Sequence, residues 1–195
     1  MQRRWIVPAF LGLALLASHP VLAQSDKDDD AENAPYNYAL GVGVGLVEAG
    51  QTETYLTAAL RIRVGRDDEN SGARGRDQGF QGYLEPEVGY WESSDDAIEG
   101  SDLLVGVNLV GAMPFARAES FIGVGVGAHF IDSALLEADP TLDDSETKLG
   151  VNAQFGIDLR MSRSLSAFGT GRFDLVQGSV ENVQAKVYLG LRARF

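Results

Sequence analysis

From Tyr36 to the carboxyl terminus the chain alternates apolar and polar residues with period two, and neither of its two clearest segments shows helical phase. That alternation is the signature of strands with one apolar and one polar face. The last segment is the clearest case. Val183, Ala185, Val187, Leu189, Leu191, Ala193 and Phe195 share one face, while Gln184, Lys186, Tyr188, Gly190, Arg192 and Arg194 share the other. Near residues 148–161, Leu149, Val151, Ala153, Phe155, Ile157, Leu159 and Met161 likewise oppose Lys148, Asn152, Gln154, Asp158 and Arg160. Six further segments, near 36–48, 54–64, 80–91, 102–113, 119–131 and 164–176, repeat the pattern. Tyr36 is read with the apolar face of the first, and Pro86 sits on the apolar face of the third. The pattern therefore predicts eight antiparallel strands.

Two all-β architectures could use these strands: a soluble sandwich with an apolar core, or a barrel with its apolar face turned to lipid. The polar face decides. It is rich in Gly and Ala, as at Gly41, Gly43, Gly45, Gly123, Gly125 and Gly127, where the outer face of a soluble sheet would be dense in Lys, Glu and Thr. Small residues suit the concave face of an eight-stranded barrel, whose interior has just enough room for side chains. Segments of this length also reach the roughly 9–11 residues that a tilted transmembrane strand needs. In lipid a sheet must close on itself to pair every backbone group. The predicted fold is an eight-stranded antiparallel up-and-down transmembrane β-barrel over residues 36–195.

The amino-terminal 23 residues read as a secretory signal. Arg3 and Arg4 precede the apolar run Phe10 to Ala17, and Val21-Leu22-Ala23 closes it. The run is too short to span a bilayer as a helix. Residues 24–35, with Asp26, Asp28, Asp29, Asp30 and Glu32, read as an acidic disordered arm. The connectors carry the expected asymmetry of an outer-membrane barrel, with short turns on the periplasmic side and longer loops outside. Pro114–Ala118 and Ser162–Arg163 are short, while Glu92–Ser101 and Asp132–Thr147 are long and acidic. Ala49–Glu53 and Arg66–Gly79 break that rule, the first too short and the second too long.

The terminal strand Val187-Tyr188-Leu189-Gly190-Leu191-Arg192-Ala193-Arg194-Phe195, ending in an aromatic residue, looks like the insertion signal of outer-membrane barrels. Together with Phe121-Ile122-Gly123-Val124-Gly125-Val126-Gly127-Ala128-His129-Phe130, it resembles the small OmpA/OmpX-type porin-like barrel domains. The resemblance implies an outer-membrane location, insertion by the barrel assembly machinery, and outer-membrane lipid and lipopolysaccharide as surroundings.

The chain holds 28 Asp+Glu against 16 Lys+Arg, a formal charge of -12, which excludes the basic stripe of a nucleic-acid surface. It has no Cys, so disulfides, thiolate nucleophiles and Cys-ligated metals are excluded. Alternation sends Arg61, Arg63, Glu85, Glu87, Asp158, Arg160, Arg172 and Asp174 into the lumen. Strand neighbourhood predicts that Arg61 and Arg63 meet Glu85 and Glu87, and that Asp158 and Arg160 meet Arg172 and Asp174. Buried charges must be paired or they cost several kcal/mol each, so the set reads as a structural plug of ion pairs. A narrow pore lined by surplus Arg and Lys is the alternative.

A second alternative is enzymatic. The order of segments, with Gly89-Tyr90-Trp91-Glu92 closing the third, is similar to that of lipid A deacylase barrels, an acyl hydrolase family. That resemblance implies a His and a Ser two residues apart near the outer end of the seventh strand. The matching stretch, Thr170-Gly171-Arg172-Phe173-Asp174-Leu175, has neither. Past the signal one histidine remains, His129, and by parity it faces the lumen. Its nearest downstream hydroxyl, Ser133, stands about 13 Å away along a strand, beyond hydrogen-bond reach. The expectation is a non-enzymatic barrel with no cofactor and no metal site. The outer acidic residues, including Glu92, Asp95, Asp96, Glu99, Asp102, Asp132 and Glu146, read as a solvated surface, with shared divalent cations as the sharper alternative.

Overall fold

The computed structural model describes residues 36–49, 52–64, 80–93, 100–133, 145–177 and 183–195. The signal, the acidic arm and most of the connectors, including 65–79, 94–99 and 134–144, lie outside the described residues. Eight strands follow one another: β1 (Tyr38–Glu48), β2 (Thr52–Val64), β3 (Gln81–Ser93), β4 (Gly100–Phe115), β5 (Ala118–Ser133), β6 (Ser145–Arg160), β7 (Leu165–Val176) and β8 (Val183–Arg194). Each pairs with the next in sequence, and β1 pairs with β8, so the sheet closes as an up-and-down antiparallel barrel. The termini mark one end, and the β1–β2, β3–β4, β5–β6 and β7–β8 links mark the other, here the loop end.

Closure is made by backbone. Tyr38 N–H donates to Phe195 O at 3.0 Å and Phe195 N–H donates to Tyr38 O at 2.9 Å, with the two rings stacked 6.3 Å apart. In the same seam Gly190 comes so close to β1 that a Cβ there would stand 2.1 Å from Val42 O and 2.5 Å from the Phe168 ring. A larger residue could not enter without opening the ladder.

The apolar faces point outward. Leu149, Phe155, Val187 and Leu189 are more than half exposed, and Ile122, Val124, Val151, Phe173 and Leu191 share that surface. The inverse holds inside, where Arg61, Asp158 and Ser166 are fully buried. A wall of this kind requires hydrocarbon around it, since burying its apolar surface in water-excluded protein is no longer possible once the sheet has closed.

Several local expectations change. Tyr36 precedes β1, so strand parity does not govern it. Its ring turns inward and stacks on Tyr83 at 5.3 Å. The strands β4, β5 and β6 run 16 residues each, longer than their apolar patterns suggested. The extension shrinks the β4–β5 link to Ala116 and Arg117, because Phe115 already pairs with Ala118. Ala116 takes a left-handed backbone (φ 50) to make that tight turn. Pro86 keeps its place in β3. The β3–β4 ladder runs through it, whereas the β2–β3 ladder is interrupted opposite Glu85 and Pro86, where a missing N–H cannot donate.

Candidate functional site

Parity makes the lumen the place where polar chemistry collects. Among the described residues, five buried cations (Arg61, Arg172, Lys186, Arg192, Arg194) face six buried carboxylates (Glu85, Glu87, Asp102, Glu119, Asp158, Asp174), with His129 beside them. They form three groups along the barrel axis.

Nearest the termini, Arg61 from β2 donates through Nε to Glu85 on β3 at 2.7 Å and through Nη1 to Glu119 on β5 at 3.2 Å. Its guanidinium lies over the Phe121 and Tyr83 rings, 4.7 and 5.4 Å from their centroids. Tyr36 OH donates to Glu119 at 3.3 Å. Tyr36, Ala39, Tyr83, Val110, Ala112 and Phe121 close this end of the lumen as an apolar cluster. Asp158 pairs with Arg192 and, at 2.8 Å, with Arg194, both from β8. Arg192 also reaches Glu85 at 3.7 Å and lies over the Phe168 ring at 4.5 Å.

At mid-height Glu87 accepts from Tyr55 OH and Thr57 OH, both at 3.1 Å, and from Asn108 Nδ2 at 2.8 Å, and it is bonded to Arg172 from the opposite wall. Arg172 also grips Asp174, with Nη2 to Oδ1 at 2.7 Å. Lys186 Nζ forms an ion pair with Asp174 at 3.0 Å and lies 4.8 Å from the Tyr55 ring centroid. Val47, Tyr55, Phe168 and Tyr188 pack here as a second apolar cluster. Between this layer and the termini-end group, a small cavity bordered by Thr57, Glu85, Gln154, Tyr188 and Arg192 measures about 10 Å³, room for one water at most.

Toward the loop end, Asp102 Oδ2 sits 2.8 Å from His129 Nδ1 and accepts from Gln184 Nε2 at 3.1 Å. A carboxylate acceptor places the imidazole proton on Nδ1. Asp102, read from sequence as part of an outer loop, is instead 1 % exposed, because β4 begins two residues before it.

Arg61, Glu85, Glu87, Asp158, Arg172 and Asp174 are buried in the lumen, while Arg63 and Arg160 are half-buried near the termini end. Arg61 meets Glu85, a pair that the strand order predicts. Two other pairings differ. Glu87 binds Arg172 across the lumen rather than Arg61 or Arg63, and Asp158 binds the β8 arginines rather than Arg172. Strand adjacency gives only the neighbours along the wall. In a narrow tube long side chains also reach across the bore. Glu119 is a lumen charge that the sequence reading does not name, although it opens the predicted fifth segment and shares the parity of His129.

The arrangement is a packed plug rather than a cleft. Each carboxylate named above has a cationic or hydrogen-bonding partner, which is the condition for charge to survive burial. Among the described residues no cluster of His, Cys, Asp and Glu could hold a metal ion.

The chain is an eight-stranded antiparallel β-barrel of the outer-membrane type, with an apolar exterior and a polar interior. Solved structures of small outer-membrane barrels share the fold. Neisserial surface protein A matches with a TM-score of 0.59 at 10% identity, covering 81% of this chain and 96% of that one. Ail, the attachment invasion locus protein of Yersinia pestis, solved with the heparin analogue sucrose octasulfate, matches with a TM-score of 0.51 at 11% identity over 81% and 96%. The amino-terminal β-barrel domain of Pseudomonas aeruginosa OprF matches with a TM-score of 0.51 at 11% identity over 82% and 98%. No family model and no curated protein sequence matches the chain.

Proposed function

We propose that the protein is exported by its amino-terminal signal, inserted by the barrel assembly machinery, and resides in the outer membrane as a non-enzymatic barrel with a filled lumen. Its role is structural or surface-interacting, with outer-membrane lipid and lipopolysaccharide as its immediate partners. One observation carries the reading: the mid-lumen network of Glu87, Arg172, Asp174 and Lys186, with Tyr55 and Tyr188, reaches across the bore from opposite walls. A hydrated ion needs a continuous path wider than one water, and side chains that meet across the bore, as Glu87 and Arg172 do, narrow that path. The non-enzymatic part is supported by His129, which is 1 % exposed and engaged with Asp102 inside the barrel, away from the acyl chains that a lipid hydrolase must reach.

Planar-bilayer recording on the refolded mature protein tests the reading. Silent membranes with protein that shows heat-modifiable migration are expected. Stepwise currents from the same sample would establish the channel alternative instead. The hydrolase alternative predicts shortened lipid A species after overexpression, and unchanged lipid A mass spectra are expected.

A further inference from the structure

The exterior is not evenly convex. Across β4, β5, β6 and the loop end of β7 it carries a depression of about 1010 Å³, lined by Val107, Val126, Ala128, Leu149, Val151 and Leu175. Its floor is backbone. Register sets Gly106, Gly127 and Gly150 side by side on three adjacent strands, at positions whose side chains would point into the lumen. Leu104 Cδ1 lies 2.6 Å from where a Gly127 Cβ would stand, and His129 Nε2 lies 2.7 Å from that of Gly150. With no side chain between, Leu104 and His129 lie directly against the backbone that floors the hollow.

Depth and polarity identify what fills the hollow. Gly127 is six residues from Ser133, the loop-end limit of β5. At ~3.3 Å per residue and ~40° tilt, that is roughly 15 Å below the end of that strand. The exposed side chain of Phe130 lies above it and those of Val124 and Ile122 below, so the hollow falls inside the apolar band. The lining is apolar except at its loop end, where exposed Gln177 follows β7 with its N–H bound to Leu149 O. Hydrocarbon below and an amide above is the order of an outer-leaflet lipid, and lipid A chains carry amide links and 3-hydroxyls that pair with a carboxamide.

Resting on the membrane reading above, we propose that this groove holds one acyl chain of lipid A, with the Gln177 side chain against its polar linkage. The groove gives the barrel a specific lipid partner, seated on the wall rather than in the loops.

The test is native mass spectrometry of the refolded mature protein from micelles containing equimolar hexa-acylated lipid A and dioleoylphosphatidylglycerol. One lipid A per folded barrel is expected. Ala128→Phe, which fills the groove, lowers that adduct at least about tenfold, the loss of ~1.4 kcal/mol of binding. Val124→Phe, on the same outward face but outside the groove, keeps it. Val151→Phe fills the groove from the other side and serves if Ala128→Phe does not fold. Retention undiminished in a folded groove-filling variant, phosphatidylglycerol held in preference, or no adduct at all would overturn the proposal. A conducting barrel that still loses lipid A in Ala128→Phe would sink the filled-lumen reading and leave the groove standing.

Discussion

Arg172 shows how much of this protein rests on single buried charges. It satisfies Glu87 and Asp174 together, and Asp174 in turn holds Lys186. Removing one partner of a buried pair leaves the other desolvated and unpaired, which costs about 3–5 kcal/mol. Arg172→Met is therefore expected to lower the unfolding free energy by about that amount, read by urea titration in lipid vesicles. A loss below about 1 kcal/mol would mean that water reaches the pair and the lumen is not sealed at mid-height. Gly190→Ala acts on the backbone instead. Its methyl group meets Val42 O in the β1–β8 seam, so the variant is expected to lose heat-modifiable migration at temperatures where the parent keeps it. The membership of the lumen was largely readable at this scale, since parity alone assigns Arg61, Glu85, Arg172 and Arg192. Their partners were not, because the Glu87–Arg172 and Asp158–Arg194 contacts join strands that are not neighbours in the wall.

The strands were legible to within a few residues wherever alternation was unbroken, as in β6 and β8. Errors fall at the ends, where polar residues continue a strand beyond the apolar band. Asp102 looked like a loop residue for that reason, and it is buried inside. The β4–β5 turn is a related case, since its left-handed position carries Ala116 rather than Gly. An L-residue there costs roughly 1–2 kcal/mol, partly offset by the greater freedom of Gly in the unfolded chain. Ala116→Gly is expected to stabilise the barrel by about 0.5–1 kcal/mol in the same urea titration. The lipid-facing side of β8 can be tested by charge. Leu189→Arg, near the middle of the strand, is expected to cost about 2–4 kcal/mol in vesicles, the penalty of a cation at the bilayer midplane.

At the scale of the whole molecule, the barrel reverses the arrangement of a soluble protein: its charges are the core and its aliphatic residues are the surface. The wall is closed by the Tyr38 and Phe195 backbone pairing, so no sheet edge is left among the described strands to seek another chain. The absence of cysteine makes the orientation directly measurable, because any single introduced thiol is unique. Nitroxide labels placed one at a time at positions 187, 188, 189, 191 and 192 in vesicles report whether each faces lipid or lumen. Dissolved oxygen should collide freely with labels at Val187, Leu189 and Leu191 and poorly with those at Tyr188 and Arg192. The opposite alternation, or labels at Leu189 that are shielded in protein remaining soluble without detergent, would contradict the account.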